Sequence, residues 1–139
     1  GDLPFEEACR FLAERGVRMV EIGCGGFTGK AHCDGAELLA DERKRAAFLE
    51  TLDKYHLEIS ALSSHGNMVH PNPKVAQHFE EDFTNAILLA EKCDILRSNV
   101  FASKPDLSVW YISDYYCIHV ADVENSIKIS NTFSKIKGK

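Results

Sequence analysis

The sequence predicts an α/β fold of repeating βα units on a parallel sheet, and three observations support this. Short β-branched runs alternate with longer segments of helical period, the pattern of parallel strands joined by right-handed helical crossovers. The strand starts expected at residues 17, 57 and 95 lie 40 and 38 residues apart, a spacing that suits one βα unit each. The chain also echoes itself: Leu12-Ala13-Glu14-Arg15-Gly16-Val17 resembles Leu89-Ala90-Glu91-Lys92-Cys93-Asp94.

Taken in order, a helix is expected over 4–15. Pro4 suits its first turn, where a missing N–H costs nothing, Phe5, Ala8, Cys9 and Leu12 share a face, and Gly16 is placed as a left-handed stop. Val17–Gly23 reads as a strand by its β-branched content, and Gly23–Lys30 as a flexible glycine loop. Asp34 and Glu37 resemble a capping pair, and a helix over 41–56 should bury Phe48, Leu49, Leu52 and Tyr55. A second strand covers 57–63. Asn72 as N-cap and Pro73 next to it open the clearest helix, 73–92, with Val75, Phe79, Phe83, Ala86, Ile87 and Ala90 at helical spacing. A third strand is expected over 95–101.

Composition narrows the classes. With 139 residues and 15.5 kDa, the chain is long enough for a real core. The net charge of −5 argues against a nucleic-acid partner. No apolar run or leader pattern predicts a membrane span, and five scattered cysteines without a C-x-x-C pair suit reduced thiols, so a cytoplasmic location is expected. The charge is uneven: residues 1–94 carry 10 Lys/Arg against 17 Asp/Glu, and residues 95–139 carry 6 against 4. Eight of the nine glycines precede residue 95. This break divides the chain into a domain over 1–102 and a divergent tail over 103–139, with a poorly ordered end expected after about residue 123.

Function is sought first in Ser63-Ser64-His65-Gly66-Asn67-Met68-Val69-His70-Pro71-Asn72-Pro73, between the second strand and its helix. In βα-repeat folds the C-terminal strand ends are where ligands bind. His65 should face that mouth, the alternative being a structural histidine. His70 either joins it or bonds nearby backbone at the helix start. Asn67 either binds a hydroxyl or tolerates a left-handed turn after Gly66. Glu21, near the end of the first strand, is either a mouth carboxylate for hydroxyls or an ion-pair partner between strands. His32-Cys33-Asp34 has no zinc-ligand spacing and reads as loop and cap, and Cys24 and Cys93 as small buried groups. Arg43-Lys44-Arg45 reads as a solvated helix face. The glycine loop separates an open nucleotide-binding sheet from a closed barrel. Gly23 and Gly25 begin a dinucleotide fingerprint, but Thr28 replaces its third glycine. Gly29-Lys30 resembles a P-loop, but Cys24 stands at its first glycine and Ala31 where a Ser or Thr should hold magnesium.

Val20-Glu21-Ile22-Gly23 with its glycine loop, Ala31-His32-Cys33-Asp34, Glu58 through Asn67, His70-Pro71 and Ala90-Glu91-Lys92 resemble the sugar phosphate isomerase/epimerase family over about residues 2–94. The resemblance implies parallel βα units of a partial (β/α)8 TIM barrel of the xylose isomerase-like kind. It also implies a sugar or sugar phosphate as the small-molecule partner and a divalent metal (Mn, Mg or Zn) as cofactor. The metal would stabilise an enediolate while carboxylates or histidines move the proton. Glu21, His65, Asn67 and His70 are the implied substrate-binding residues, with no metal ligand or catalytic residue assigned. The chain departs from the pattern in opening on a helix, in having Cys93-Asp94-Ile95 where the family places Leu-Gly before the next strand, and in falling short of the roughly 250 residues of a full barrel. A truncated chain without catalytic competence, not binding the metal and self-associating through exposed sheet edges, is therefore expected. The alternatives are a non-catalytic interaction remnant and a metal-dependent hydrolase of the related apurinic endonuclease branch.

Overall fold

The structure, a computed structural model, describes residues 3–95, 98–102 and 116–120. Among the described residues, four helices, α1 (Phe5–Ala13), α2 (Gly35–Ala40), α3 (Glu42–Lys54) and α4 (Pro73–Lys92), accompany four strands: β1 (Met19–Gly26), β2 (Glu58–His65), β3 (Ser98–Ala102) and β4 (Tyr116–Val120). The strands form one sheet in the order β1-β2-β3-β4. β1 pairs with β2 and β2 with β3 in parallel, as expected, whereas β4 pairs antiparallel with β3, so the sheet is mixed. The tail thus contributes a strand to this sheet. Its remaining residues, including the end expected to be poorly ordered after residue 123, lie outside the described residues.

Three helix ends repeat one device. After α1, Val17 N–H donates to Leu12 O (3.2 Å) and Gly16 N–H to Ala13 O (3.0 Å), with Gly16 at φ 78°. After α3, Leu57 N–H reaches Leu52 O (3.0 Å) and His56 N–H reaches Asp53 O (2.9 Å), with His56 at φ 53°. After α4, Ile95 N–H reaches Ala90 O (2.8 Å) and Asp94, also at φ 53°, reaches Glu91 O (3.3 Å). Each is a left-handed closure that satisfies orphan carbonyls and turns a hydrophobic residue (Val17, Leu57, Ile95) back onto the core. Asp94, not Cys93, is therefore the counterpart of Gly16, one place off the register read from the sequence echo. An ordinary L-residue costs roughly 1–2 kcal/mol in this conformation. No heavy atom lies within 4 Å of a Cβ placed on Gly16, so Gly16→Ala should lose about 1 kcal/mol through φ alone. Exposed His56→Gly should gain a similar amount. Paired urea melts check both signs.

Several boundaries differ from expectation. The closing turns consume Val17, Leu57 and Ile95, so the strands begin one to three residues later than predicted. β1 runs on to Gly26 rather than ending at Gly23, because its glycines pair with β2 through a bulge that matches Gly23 to Ser63 and Gly26 to His65. The helix expected over 41–56 is preceded by a separate helix, α2. Asp34 caps α2 by accepting from Ala36 N and Glu37 N, while Asp41 ends it and caps α3 through Arg43 N and Lys44 N. Glu37 does not close a capping box; its carboxylate pairs with Lys44.

A second bulge at Ser60 sets the faces of β2, since Val20 matches Ile59 while Glu21 matches Ala61. Val20, Ile22 and Cys24 of β1 and Ile59 and Leu62 of β2 then point toward the helices. There they meet Cys9, Phe48, Leu52, Ala86, Leu89 and Ala90 in the core. Phe83 and Ile87 make a second cluster with Met68, against which Phe79 packs. Leu49, expected in the core, is 36% exposed. Glu21, Gly23, Ala61, Ser63 and His65 share the opposite sheet face, because strand side chains alternate. Among the described residues no helix is long and apolar enough to cross a membrane.

Candidate functional site at the strand ends

The C-terminal ends of β1 and β2 are held by an arrangement centred on Asp82, the only acidic side chain on the apolar face of α4. Asp82 is 3% exposed. Its Oδ2 accepts from Gly26 N–H (2.8 Å) and its Oδ1 pairs with Lys30 Nζ (2.6 Å). Hydrogen bonding to Asp82 raises the Lys30 pKa and favours the charged ammonium. Beyond Gly26, Phe27 N–H donates to His65 O (2.6 Å). The Thr28 hydroxyl lies within reach of Gly25 O (2.7 Å) and Ser63 O (3.1 Å). The loop after β1 is thereby fastened at one side to α4 and at the other to the end of β2. Lys30 is not available to cradle a phosphate as a P-loop lysine would. The Phe27 and Phe79 rings meet at 4.9 Å, and Gly66 passes so close to Phe79 that a Cβ there would fall on the ring.

This frame presents Glu21 and half-buried His65 on one face of adjacent strands. Burial lowers the His65 pKa, and the negative charge of Glu21 raises it in partial opposition. The two side chains interact electrostatically, His65 from the C-terminal end of β2 and Glu21 from farther back, because β1 runs on to Gly26 and Glu21 stands opposite Ala61 instead of near the strand end as expected. The lowered pKa favours the neutral imidazole, and the pair offers acceptors and a donor suited to hydroxyl groups.

The direction of the shift has a stability consequence. A histidine whose folded pKa lies below its unfolded value takes up fewer protons in the native state, so its contribution erodes as pH falls through the ordinary value near 6.5 and below. In an NMR titration, His65 should have a midpoint below the ordinary histidine value near 6.5. Glu21→Gln should lower the His65 midpoint further, because it removes the one influence that raises it. An upward move would exclude the electrostatic coupling.

The other two candidates sit differently. Asn67 Oδ1 accepts from Val69 N–H (3.1 Å), an Asx turn. Neither Asn67 nor Gly66 is among the positive-φ residues, so the left-handed turn weighed for this position is not formed. His70 Nδ1 accepts from Asn72 N–H (3.0 Å), the backbone-bonding role weighed for it at the start of α4. Both residues build the loop that follows His65. His32 lies apart from the strand-end pair: its Nε2–H donates to Leu3 O (2.8 Å) and its ring packs on Phe5.

Among the described residues no three His, Cys, Asp or Glu side chains converge to hold a metal ion. Glu21 and His65 offer two donors at most, short of the three protein ligands of a typical catalytic zinc. The described residues therefore do not by themselves fit the divalent ion implied by the resemblance. Asp82 and Thr28 were not singled out from the sequence as functional residues. A signal for Asp82 was present, since it falls three residues after Phe79 and four before Ala86, where a carboxylate must find a partner.

No protein-family profile matches the chain. It is 33% identical over 111 residues, 76% of its length, to the uncharacterized protein YfiH of Bacillus subtilis (strain 168), and the match covers 35% of that protein. The chain thus spans about a third of the length of the curated relative it matches.

Proposed function

We propose that residues 3–102 are leading units of a sugar phosphate isomerase/epimerase-like TIM barrel. In this reading Glu21 and His65 bind the hydroxyl groups of a sugar or sugar phosphate. The reading is supported by a carboxylate and an imidazole on one face of two adjacent parallel strands, His65 at the C-terminal end of β2 and Glu21 at the third residue of β1, near enough for the Glu21 charge to raise the His65 pKa. The Asp82-fastened loop positions His65 by fixing the end of β2. A neutral imidazole accepts a hydroxyl proton and the carboxylate accepts from neighbouring hydroxyls, a geometry that distinguishes a polyol from an apolar ligand.

The isolated chain binds without turnover in this reading, because the described residues do not bring together a full metal donor set. Isomerisation and the divalent ion belong to the longer protein. β1 is paired on one side only among the described strands, and self-association through that edge is part of the proposal. Calorimetry with a ketose phosphate tests the binding. Uptake by the full chain is expected, weakened at least tenfold in both Glu21→Gln and His65→Ala. A second reading, a non-catalytic remnant, is favoured by Asn67 and His70 being engaged with their own backbone. Absence of uptake by the folded wild-type chain would select it.

A further inference from the structure

Cys24 ends the core-facing row of β1, and Cys33 lies in the loop just before the cap of α2. Both side chains are fully enclosed, and the Cys33 thiol donates toward Cys24 Sγ at 3.6 Å. The space is closely fitted, since a Cβ on Gly35 would stand 3.0 Å from Cys24 Sγ. Among the described residues no third ligand joins them, so the pair does not make a zinc site. Two sulfurs already in contact, nine positions apart across one loop, are instead arranged to bond to each other.

We propose that Cys24 and Cys33 form an oxidant-responsive dithiol that closes into a disulfide on exposure to hydrogen peroxide, with Cys24 attacking and Cys33 resolving. The Cys24 thiolate attacks one peroxide oxygen, the O–O bond breaks, and hydroxide leaves and takes up a proton, giving a sulfenic acid. Cys33 sulfur then attacks Cys24 sulfur, the S–O bond breaks, and water departs with the Cys33 proton. Two thiols lose two electrons in all, and one peroxide becomes two waters. The assignment follows the direction of the hydrogen bond: Cys33 holds the proton and Cys24 accepts it. That contact lowers the Cys24 pKa and raises that of Cys33. Since both sulfurs are enclosed, reaction requires opening of the segment 27–34 and is slow in the native state. The product would tie the end of β1 to the start of α2, beneath the loop that reaches His65.

The experiment treats the full chain with hydrogen peroxide, alkylates it in denaturant and maps its peptides by mass. The expected result is a Cys24–Cys33 linked peptide, the loss of two alkylatable thiols per chain, and faster linkage in urea below the unfolding midpoint. Cys33→Ser should leave a Cys24 sulfenic acid that a dimedone probe captures. If this variant fails to fold, the wild-type map decides alone. Oxidation confined to Cys9 or half-buried Cys93, with Cys24 and Cys33 both recovered as free thiols, would overturn the proposal, as would a linkage pairing either sulfur with another cysteine.

Discussion

Gly26→Ala is expected to lower the unfolding free energy by about 2–5 kcal/mol, the sum of a left-handed strain term and a steric term. Gly26 sits at φ 64°, and a Cβ there would fall on the carbonyl oxygen of His65. That carbonyl cannot swing aside, because it belongs to the last paired residue of β2 and accepts from Phe27 N–H. The backbone must separate, and the bond from Gly26 N–H to Asp82 goes with it. Urea unfolding should show the loss as a shifted midpoint with an unchanged slope. An effect below about 1 kcal/mol, the size of a left-handed strain alone, would mean that the loop is not seated against β2.

Asp82→Ala should cost about 3 kcal/mol, the scale for removing one partner of a buried ion pair. The substitution leaves Gly26 N–H without its acceptor and Lys30 beside an apolar pocket that no longer balances its charge. Asp82→Asn keeps an acceptor for the amide and should recover part of the loss. Beyond stability, Asp82→Ala should release the loop after β1, so amide exchange at Gly26 and Phe27 should rise far more than at Leu62 or Leu89. Equal acceleration throughout would place Asp82 in the general core and remove its role as the fastening of the mouth.

Much of the fold was legible because it rests on local periodicity. The face of α4 from Val75 to Ala90 and the alternation of helix with strand follow from residue spacing alone. What escaped depends on contacts distant in sequence. The glycines after Gly23 read as a flexible loop, yet Gly25 and Gly26 continue the strand, since β2 and Asp82 supply partners distant in sequence, His65 and Asp82 for Gly26. The break between α2 and α3 was hidden because Asp41 both ends one helix and caps the next. At the site, His65 and Glu21 could be placed from strand alternation. The engagement of Asn67 and His70 with their own backbone could not, because both outcomes suit the same residue types in the same loop.

An amide-resolved NMR titration of the full chain with a ketose phosphate tests the proposed polyol site around His65 and Glu21 most directly. Saturable shifts are expected at Glu21, Gly23, His65 and the amides of Gly26 to Thr28, diminished as pH falls below the ordinary histidine value and His65 takes up its proton. The opposite end of the sheet carries a groove of about 510 Å³ lined by Met19, Leu49, Asp53 and Ile95. Shifts confined to that groove, or none at saturating ligand, would contradict the assignment.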